Sequence, residues 1–413
     1  MLDFTDEQKA VQAGIRAWCA KNLEPAVPEL EAGTLSVYPL MRAMATTFGL
    51  ADMAKAAFER ARTRHDSKEK GAGRAGRAGD ETHALQAILM MELSRVCPGF
   101  AMAFGASIGL FGGAVMARGT AEQKERWALP VLTLEKIGAW GLTEPGAGSD
   151  AFGSMQTRAR RDASGNGYRV SGSKTFITNA PFADVMLVYA RVLGDGSAAE
   201  AGEAGRVAAF LVERADAGVS VGPPMKKMGV HASPTGEIFL DDVFLPEDRL
   251  LGGPLAASPT DARSAAKSSL QGERFGMTPI CLGIVDRCLE EAVRYAKERQ
   301  QWGKSISTFQ LVQEKLARIY QARMVMMSLL LRQLESESRG VALGDAEASA
   351  TKLYCAQAAT ACALDAVQVM GGAGYMAGSV VEMMARDAKL FQIGGGTDEI
   401  QILRIARELL APH

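Results

Sequence analysis

Apolar positions in the first third of the chain recur at helical spacing. Phe4, Val11, Ile15 and Trp18 are separated by seven, four and three residues. Thr5 followed by Gln8 has the form of a capping box opening that helix. Residues 86–97 and 121–132 predict further helices. From about 136 the pattern changes. Residues 168–176 alternate, and 185–192, 207–213 and 237–246 are short apolar runs between Gly- and Asp-rich turns, which predicts strands. Beyond about 255 helical spacing returns over 268–300, 308–337, 346–371 and 397–410. The order is helix, sheet, helix, with no βαβ alternation, so a doubly wound nucleotide fold is not expected. The reading is a multi-domain α+β chain: an N-terminal helical domain over 1–135, a middle β domain over 136–252 and a C-terminal helical domain over 253–413.

Residues 96–117 carry no charge and match a bilayer span in length. Pro98 and five glycines interrupt them, which fits a buried helix packed through small residues. The N-terminus is acidic early and lacks the apolar core of a secretory signal. No membrane association is expected, and the location expected is the bacterial cytoplasm, with a processed mitochondrial matrix protein as the alternative. The 46 Lys and Arg balance 47 Asp and Glu, which excludes a strongly basic nucleic-acid binder. Six Cys without ligand spacing and four His predict reduced thiols and no metal site. Residues 59–79 hold seven Lys or Arg against three acids and dissolve into Gly and Ala. They read as a solvated surface loop, with a contact surface for an anionic ligand or partner as the alternative. The 44 glycines exceed the roughly 7% average, so their placement matters.

Five clusters carry candidate chemistry. Trp140, Leu142 and Thr143 lead into the turn Glu144-Pro145-Gly146-Ala147-Gly148-Ser149, whose glycines expose N–H groups to a phosphate or a flavin edge. Phe176 and Thr178 lie two apart on one strand face, an aromatic to stack on a flat ring and a hydroxyl to bond its rim. The third cluster is Arg299 to Lys304 with Gln310. The fourth runs from Gln368 to Tyr375, and the fifth joins Arg386-Asp387-Ala388-Lys389 to the stretch from Gln392 to Gln401. A dinucleotide fingerprint and a P-loop are both missing; Gly172-Ser173-Lys174 has the wrong spacing.

In this order and at these separations the clusters resemble the acyl-CoA dehydrogenase family over nearly the whole chain. The resemblance implies a helical N-terminal domain, a middle β-barrel and a C-terminal helical bundle like a four-helix bundle. It implies non-covalently bound FAD, lined by Trp140, Leu142, Thr143 and Ser149 and packed by Phe176, where the family often has Trp, and Thr178. Arg299, Trp302, Gln310, Gln368 and Gly372 match positions that a neighbouring subunit presents to the adenosine half. Thr397 and Glu399 match positions beside the cofactor. The family implies a homo-oligomer, usually a dimer of dimers, and an electron-transfer flavoprotein as acceptor. Its chemistry is α,β-desaturation of an acyl-CoA thioester: a carboxylate removes the α-proton and the β-hydrogen leaves as hydride to flavin N5. Carrier-protein thioesters, and oxidase or monooxygenase relatives, are the alternatives.

Many members carry the base as Glu in a Tyr-Glu-Gly-Thr motif, which here reads Gly394-Gly395-Gly396-Thr397. Gly395 has no carboxylate, though its N–H remains to bond the thioester oxygen together with a ribityl hydroxyl of FAD. The isovaleryl- and long-chain-type subset moves the base to a helix in a Glu-Arg pair, and Glu273-Arg274 stands at that place. Met277, Ile280, Cys281, Ile284 and Cys288 follow at helical spacing and put Glu273 on an apolar face. Glu273 is therefore the expected base, with Ser149 and Arg274 at the substrate. Thr397 reads as an N-cap, with Asp398 and Glu399 in the first turn of the last helix. The glycine run at 394–396 leaves room for branched or bulky acyl groups.

Overall fold

The structure is a computed structural model. It describes residues 3–66, 75–193, 206–253, 262–341 and 343–411, with the side chains of 57, 60–66, 75–82 and 262–273 left out of the description. The N-terminal part is helical: α1 (Asp6–Trp18), α2 (Val27–Ala32), α3 (Val37–Thr47), α4 (Leu50–Asp66) and α5 (Ala75–Val96), then α6 (Pro98–Gly105), α7 (Gly113–Arg118), α8 (Ala121–Gln123) and α9 (Leu129–Leu132). The predicted capping box is present, because the Thr5 side chain accepts from the Gln8 N–H and the Gln8 side chain returns the bond to the Thr5 N–H. The basic stretch departs from the expected loop at both ends. Residues 59–66 continue α4 and residues 75–79 open α5. Their Ala and Arg content favours helix. Residues 67–74 lie outside the described residues.

The uncharged segment forms one helical rod from Pro98 to Arg118, widened to a π-helix over Ala106–Gly112. It is long and apolar enough to cross a membrane by composition, yet over half of its most apolar window is buried in the protein. Close approach explains its small residues. A Cβ on Gly138 would meet Phe111 ring atoms at 2.6 Å, and one on Gly112 would meet Leu132 at 2.9 Å.

The middle part is a curled seven-stranded sheet. Its strands are β1 (Gly138–Gly141), β2 (Arg158–Arg161), β3 (Gly167–Thr178), β4 (Val185–Leu193), β5 (Val207–Glu213), β6 (Val219–Val221) and β7 (Thr235–Pro246). The order is β1-β4-β2-β3-β7-β6, and β5 pairs with β4. β4 runs parallel to β1 and β2 and antiparallel to β5. One face of the sheet closes over Tyr168, Val188, Phe210 and Ile238. The other face of β4 and β5 packs Leu187, Tyr189 and Leu211 on Phe111, Trp127 and Val131. β4 is thus buried on both faces, which is why its sequence is a continuous apolar run.

The C-terminal part holds α10 (Ala262–Glu298), a hairpin of β8 (Gln300–Gln301) and β9 (Lys304–Ser305), α11 (Gln310–Ser338), α12 (Asp345–Met370), α13 (Gly372–Tyr375), α14 (Val380–Ala388) and α15 (Asp398–Leu409). The five apolar positions following 273 are all buried. Helices of the first and last parts share one core, in which Met91 and Phe100 join Ile284, Cys355 and Met384. All six cysteines are free and buried. Among the described residues no cluster of His, Cys, Asp and Glu could hold a metal.

Candidate functional site

The turn after β1 is held by a buried ion pair. Glu144 and Lys174 are almost wholly out of solvent, with Lys174 Nζ 2.8 Å from Glu144 Oε1 and 3.1 Å from the Leu142 carbonyl. Glu144 also accepts from the N–H groups of Gln156 (2.6 Å) and Thr157 (2.9 Å). Burial pushes Lys174 down to about 8 against the pull of Glu144, so it remains protonated at neutral pH. Burial would raise Glu144, but Lys174 and the hydrogen bonds outweigh it and hold the carboxyl below its ordinary value. Leu142 is thereby fixed through its carbonyl, and Thr143 accepts from the Thr175 N–H at 3.0 Å. Ser149 is exposed at the end of the turn.

The end of β3 faces the same region. Its pairing with β7 shifts register between Lys174 and Ile177. Phe176 sits at the bulge with φ +58° and 68% exposed, so it is not a core aromatic. An L-residue of this size in the left-handed region is strained. Thr178 is half-buried, and Asn179 follows at φ +69°. Asn179 accepts from Tyr38 Oη at 3.0 Å and donates to the Ala103 carbonyl at 2.8 Å. It ties the strand to α3 and α6. Trp140 stands edge-on to Tyr189, and its buried Nε1–H has no partner among the described residues.

These features suit a flavin. A strained, exposed aromatic, a hydroxyl two residues on and an orphaned indole donor offer a flat face and polar groups to one planar, polar-rimmed ligand. Trp140, Thr143, Phe176 and Thr178 lie where β1 and the end of β3 come together, while the Leu142 side chain is buried in the core against β4 and β5.

A second group lies elsewhere. Arg299, Gln301, Tyr295, Ile306 and residues 369–373 line an open cleft of about 420 Å³. Trp302 is 85% exposed at the tip of the β8–β9 hairpin, at φ +51°, edge-on to Phe309. Gln310 opens α11 and Gln368 lies near the end of α12, both exposed. Gly372 follows Gly371, which is at φ +58°. Arg299, Gln301, Trp302, Gln310, Gln368 and Gly372 of this group are exposed at the surface.

The third part is the glycine turn between α14 and α15. Gly395 and Gly396 have φ +62° and +91°. The Gly396 carbonyl accepts from Lys352 Nζ at 2.8 Å, and Gln401 Nε2 reaches both carbonyls. The Gly395 N–H donates to no other described residue. Thr397 caps α15, its side chain accepting from the Ile400 N–H. Asp398 is held by the amides of Gln357 and Gln392. Glu399 is exposed, and backbone and Thr397 hydrogen bonds hold its carboxyl below the ordinary value. Glu273 lies in α10, and its side chain is outside the described residues. Arg274 is buried and bonds Asp345 Oδ1 at 2.6 Å, a carboxylate it shares with Arg404. Any contact with substrate would be made from this anchored position.

Two functional groupings escaped the sequence reading. One is the Glu144–Lys174 pair, for which the only sequence signal was a charged residue inside each apolar cluster. The other is the contact of Asp387, which the sequence placed in the fifth cluster, with the loop 227–233.

Three models of the acyl-CoA dehydrogenase match: the N-terminal domain over residues 71–135, the middle domain over 139–243 and the C-terminal domain over 263–410. A probable acyl-CoA dehydrogenase of Bacillus subtilis is 36% identical over 81% of this chain and 84% of its own length. A 3-(aryl)acrylate reductase of Clostridium sporogenes is 35% identical over 81% and 85%. Among solved structures, butyryl-CoA dehydrogenase from Megasphaera elsdenii superposes with a TM-score of 0.82 at 28% identity, covering 100% of both chains. An acyl-CoA dehydrogenase complexed with FAD from Bacillus anthracis gives 0.78 at 28%, covering 99% of this chain and 67% of that one. With its three parts matched in order and the curated relatives covered over most of their length, the chain belongs to the acyl-CoA dehydrogenase family.

Proposed function

We propose that this FAD-dependent acyl-CoA dehydrogenase uses Glu273 as the base that removes the α-proton. The observation that carries the assignment is the state of the carboxylates around the glycine turn. Gly395 has none. Asp398 is bonded to two glutamine amides, and Glu399 is exposed and held in its ionised form, which makes it a weak base. Position 273 shares a helical face with Met277, Ile280, Cys281, Ile284 and Cys288, all buried, the dry setting that suits a general base.

FAD, when bound, supplies the two-electron acceptor for the β-hydrogen. Trp140, Leu142, Thr143, Ser149, Phe176 and Thr178 are the residues to hold its flavin side. Arg299, Trp302, Gln310, Gln368 and Gly372 serve the adenosine side of a neighbouring subunit's cofactor, which makes the protein a dimer at least and in this reading a dimer of dimers. Thr397 and Glu399 stand at the same cofactor. The Gly395 N–H donates to the thioester oxygen as negative charge develops there. Arg274, anchored by Asp345 at the start of α12, ties down the base-bearing helix next to position 273 and stands at the substrate. The room at 394–396 favours branched or bulky acyl groups, and electrons pass on to an electron-transfer flavoprotein in the bacterial cytoplasm. One relative is named a caffeyl-CoA reductase–Etf complex subunit.

The test is anaerobic mixing of the yellow protein with a panel of acyl-CoAs. Wild type bleaches. Glu273→Gln keeps FAD and does not bleach. Normal reduction of that variant removes Glu273 from the role, and turnover of short straight chains alone removes the roomy pocket.

A further inference from the structure

The loop between β6 and β7 is strained and is held from another part of the fold. Val230, a β-branched residue, has φ +48° and is buried. Its N–H donates to Asp387 Oδ1 at 2.5 Å. Asp387 is buried near the end of α14, and its second oxygen has no partner among the described residues. The fit is close: a Cβ on Gly229 would stand 2.6 Å from Asp387 Oδ1. Arg386 clamps the same loop, donating to the Met228 carbonyl at 3.2 Å and to Glu31 of α2 at 3.0 Å. The loop also packs on the start of α6, where a Cβ on Gly99 would meet the Ser233 nitrogen at 3.1 Å.

We infer that Asp387 is a positioning residue for the flavin-facing strand, holding the 227–233 loop in its strained form and, through it, the end of β3. The path is short. Just beyond the loop, the Pro234 carbonyl accepts from the Asn179 N–H at 2.7 Å. Thr235 and Gly236 then pair with Thr178 and Ile177. If the loop relaxes, Phe176 and Thr178 lose their backing. On its other side Asp387 stands at the end of α14, seven residues before Gly394. One carboxylate therefore sets the spacing between the flavin-facing strand and the glycine turn.

The groups that face Asp387 are known from each packed element. Glu31 comes from α2, Cys97 precedes α6, Arg386 and Glu382 share α14, and Lys227 comes from the loop, whose His231 pairs with Glu31. Burial pushes the Asp387 carboxyl up to about 7, which places its proton exchange near neutrality.

The inference rests on the FAD reading above, and its test separates the two. Wild type, D387A, D387N, V230G and the double variant V230G/D387A are compared. The readouts are the Kd for FAD by flavin fluorescence, hydrogen exchange over 227–236, and kcat and KM by bleaching across pH. D387A should raise the FAD Kd about tenfold to a hundredfold, the loss of a hydrogen bond to a charged group. It should also speed exchange over 227–236 and lower kcat more than KM. V230G/D387A should regain most of the FAD affinity, because Gly adopts positive φ without strain. D387N keeps the acceptor, so its Kd and its exchange over 227–236 should stay near wild type. Wild-type Kd and exchange in D387A overturn the inference, as does equal damage in D387A and the double variant. Should D387A not fold, a D387N protein whose FAD Kd or exchange over 227–236 departs from wild type as far as expected for D387A overturns it. If no acyl-CoA bleaches the wild type, the proposed function falls, while FAD affinity and exchange still decide the role of Asp387.

Discussion

Replacing Lys174 by Met tests whether the buried ion pair holds the flavin-side turn. Lys174 is fully buried, and Glu144 beside it nearly so. The substitution preserves the apolar stem and removes the ammonium, leaving a buried carboxylate with two backbone N–H donors and the Leu142 carbonyl unpaired. Breaking one side of such a pair costs about 3–5 kcal/mol. That is a large share of the roughly 5–15 kcal/mol by which folded proteins are stable. At about 2.1 cal/mol/K of unfolding entropy per residue, the 413-residue chain shifts by about 1 °C per kcal/mol, so the melting temperature of the apoprotein falls by about 3–6 °C. The double variant K174M/E144Q should recover part of this loss, because no charge is then stranded. Calorimetry of the four proteins gives the coupling directly. A K174M protein melting within about 2 °C of wild type would refute the argument. So would a double variant no better than the sum of the singles.

Other changes separate folding from cofactor binding. F176G should raise the melting temperature slightly, since Gly accepts φ +58° without strain, yet weaken FAD binding through loss of the exposed ring. Equal FAD affinity would remove Phe176 from the flavin site. N179A strips the partner from Tyr38 Oη and from the Ala103 carbonyl, both buried, and should destabilise by about 2–4 kcal/mol in urea unfolding. D387N also alters stability against pH. The folded carboxyl titrates near 7 against an unfolded value of 3.8, so its stabilisation is complete below 3.8 and lost as pH rises through 7. The melting temperature of wild type should fall relative to that of D387N across this window, and parallel curves would contradict the burial argument.

Much of the fold was legible because its signals are local. Helix periods, the Thr5–Gln8 capping box and the Thr397 cap each depend on residues within one or two turns. The apolar runs of β4 and β5 identified strands, but only the sheet shows that both faces of β4 are covered. What escaped is set by pairing across distance. Lys174 and Glu144 lie 30 residues apart, and Val230 and Asp387 lie 157 apart. Each looks like an ordinary charged or apolar residue until the sheet and α14 bring the partners together. The bulge at Phe176 is of the same kind. Alternation along 168–176 predicted a regular strand, and the register shift against β7 turns the last aromatic outward.

The glycines at 394–396 show how one sequence feature divides once the backbone is known. In the sequence they are a single gap where a carboxylate was expected. In the structure Gly394 has ordinary φ and room, the nearest atom to an added Cβ being the Leu390 carbonyl oxygen at 3.6 Å. Gly396 has φ +91° and would press a Cβ to 2.7 Å from Gln401 Nε2, which bonds two carbonyls of the turn. Gly395 has φ +62°, where a side chain carries a strain of roughly 1–2 kcal/mol. A Glu placed at 395 would therefore act against the turn that Lys352 and Gln401 hold in place. The backbone that presents the Gly395 N–H is the one that disfavours a side chain there. In the proposed reading the base stands on α10, and the turn keeps its Gly395 N–H as the hydrogen-bond donor to the thioester.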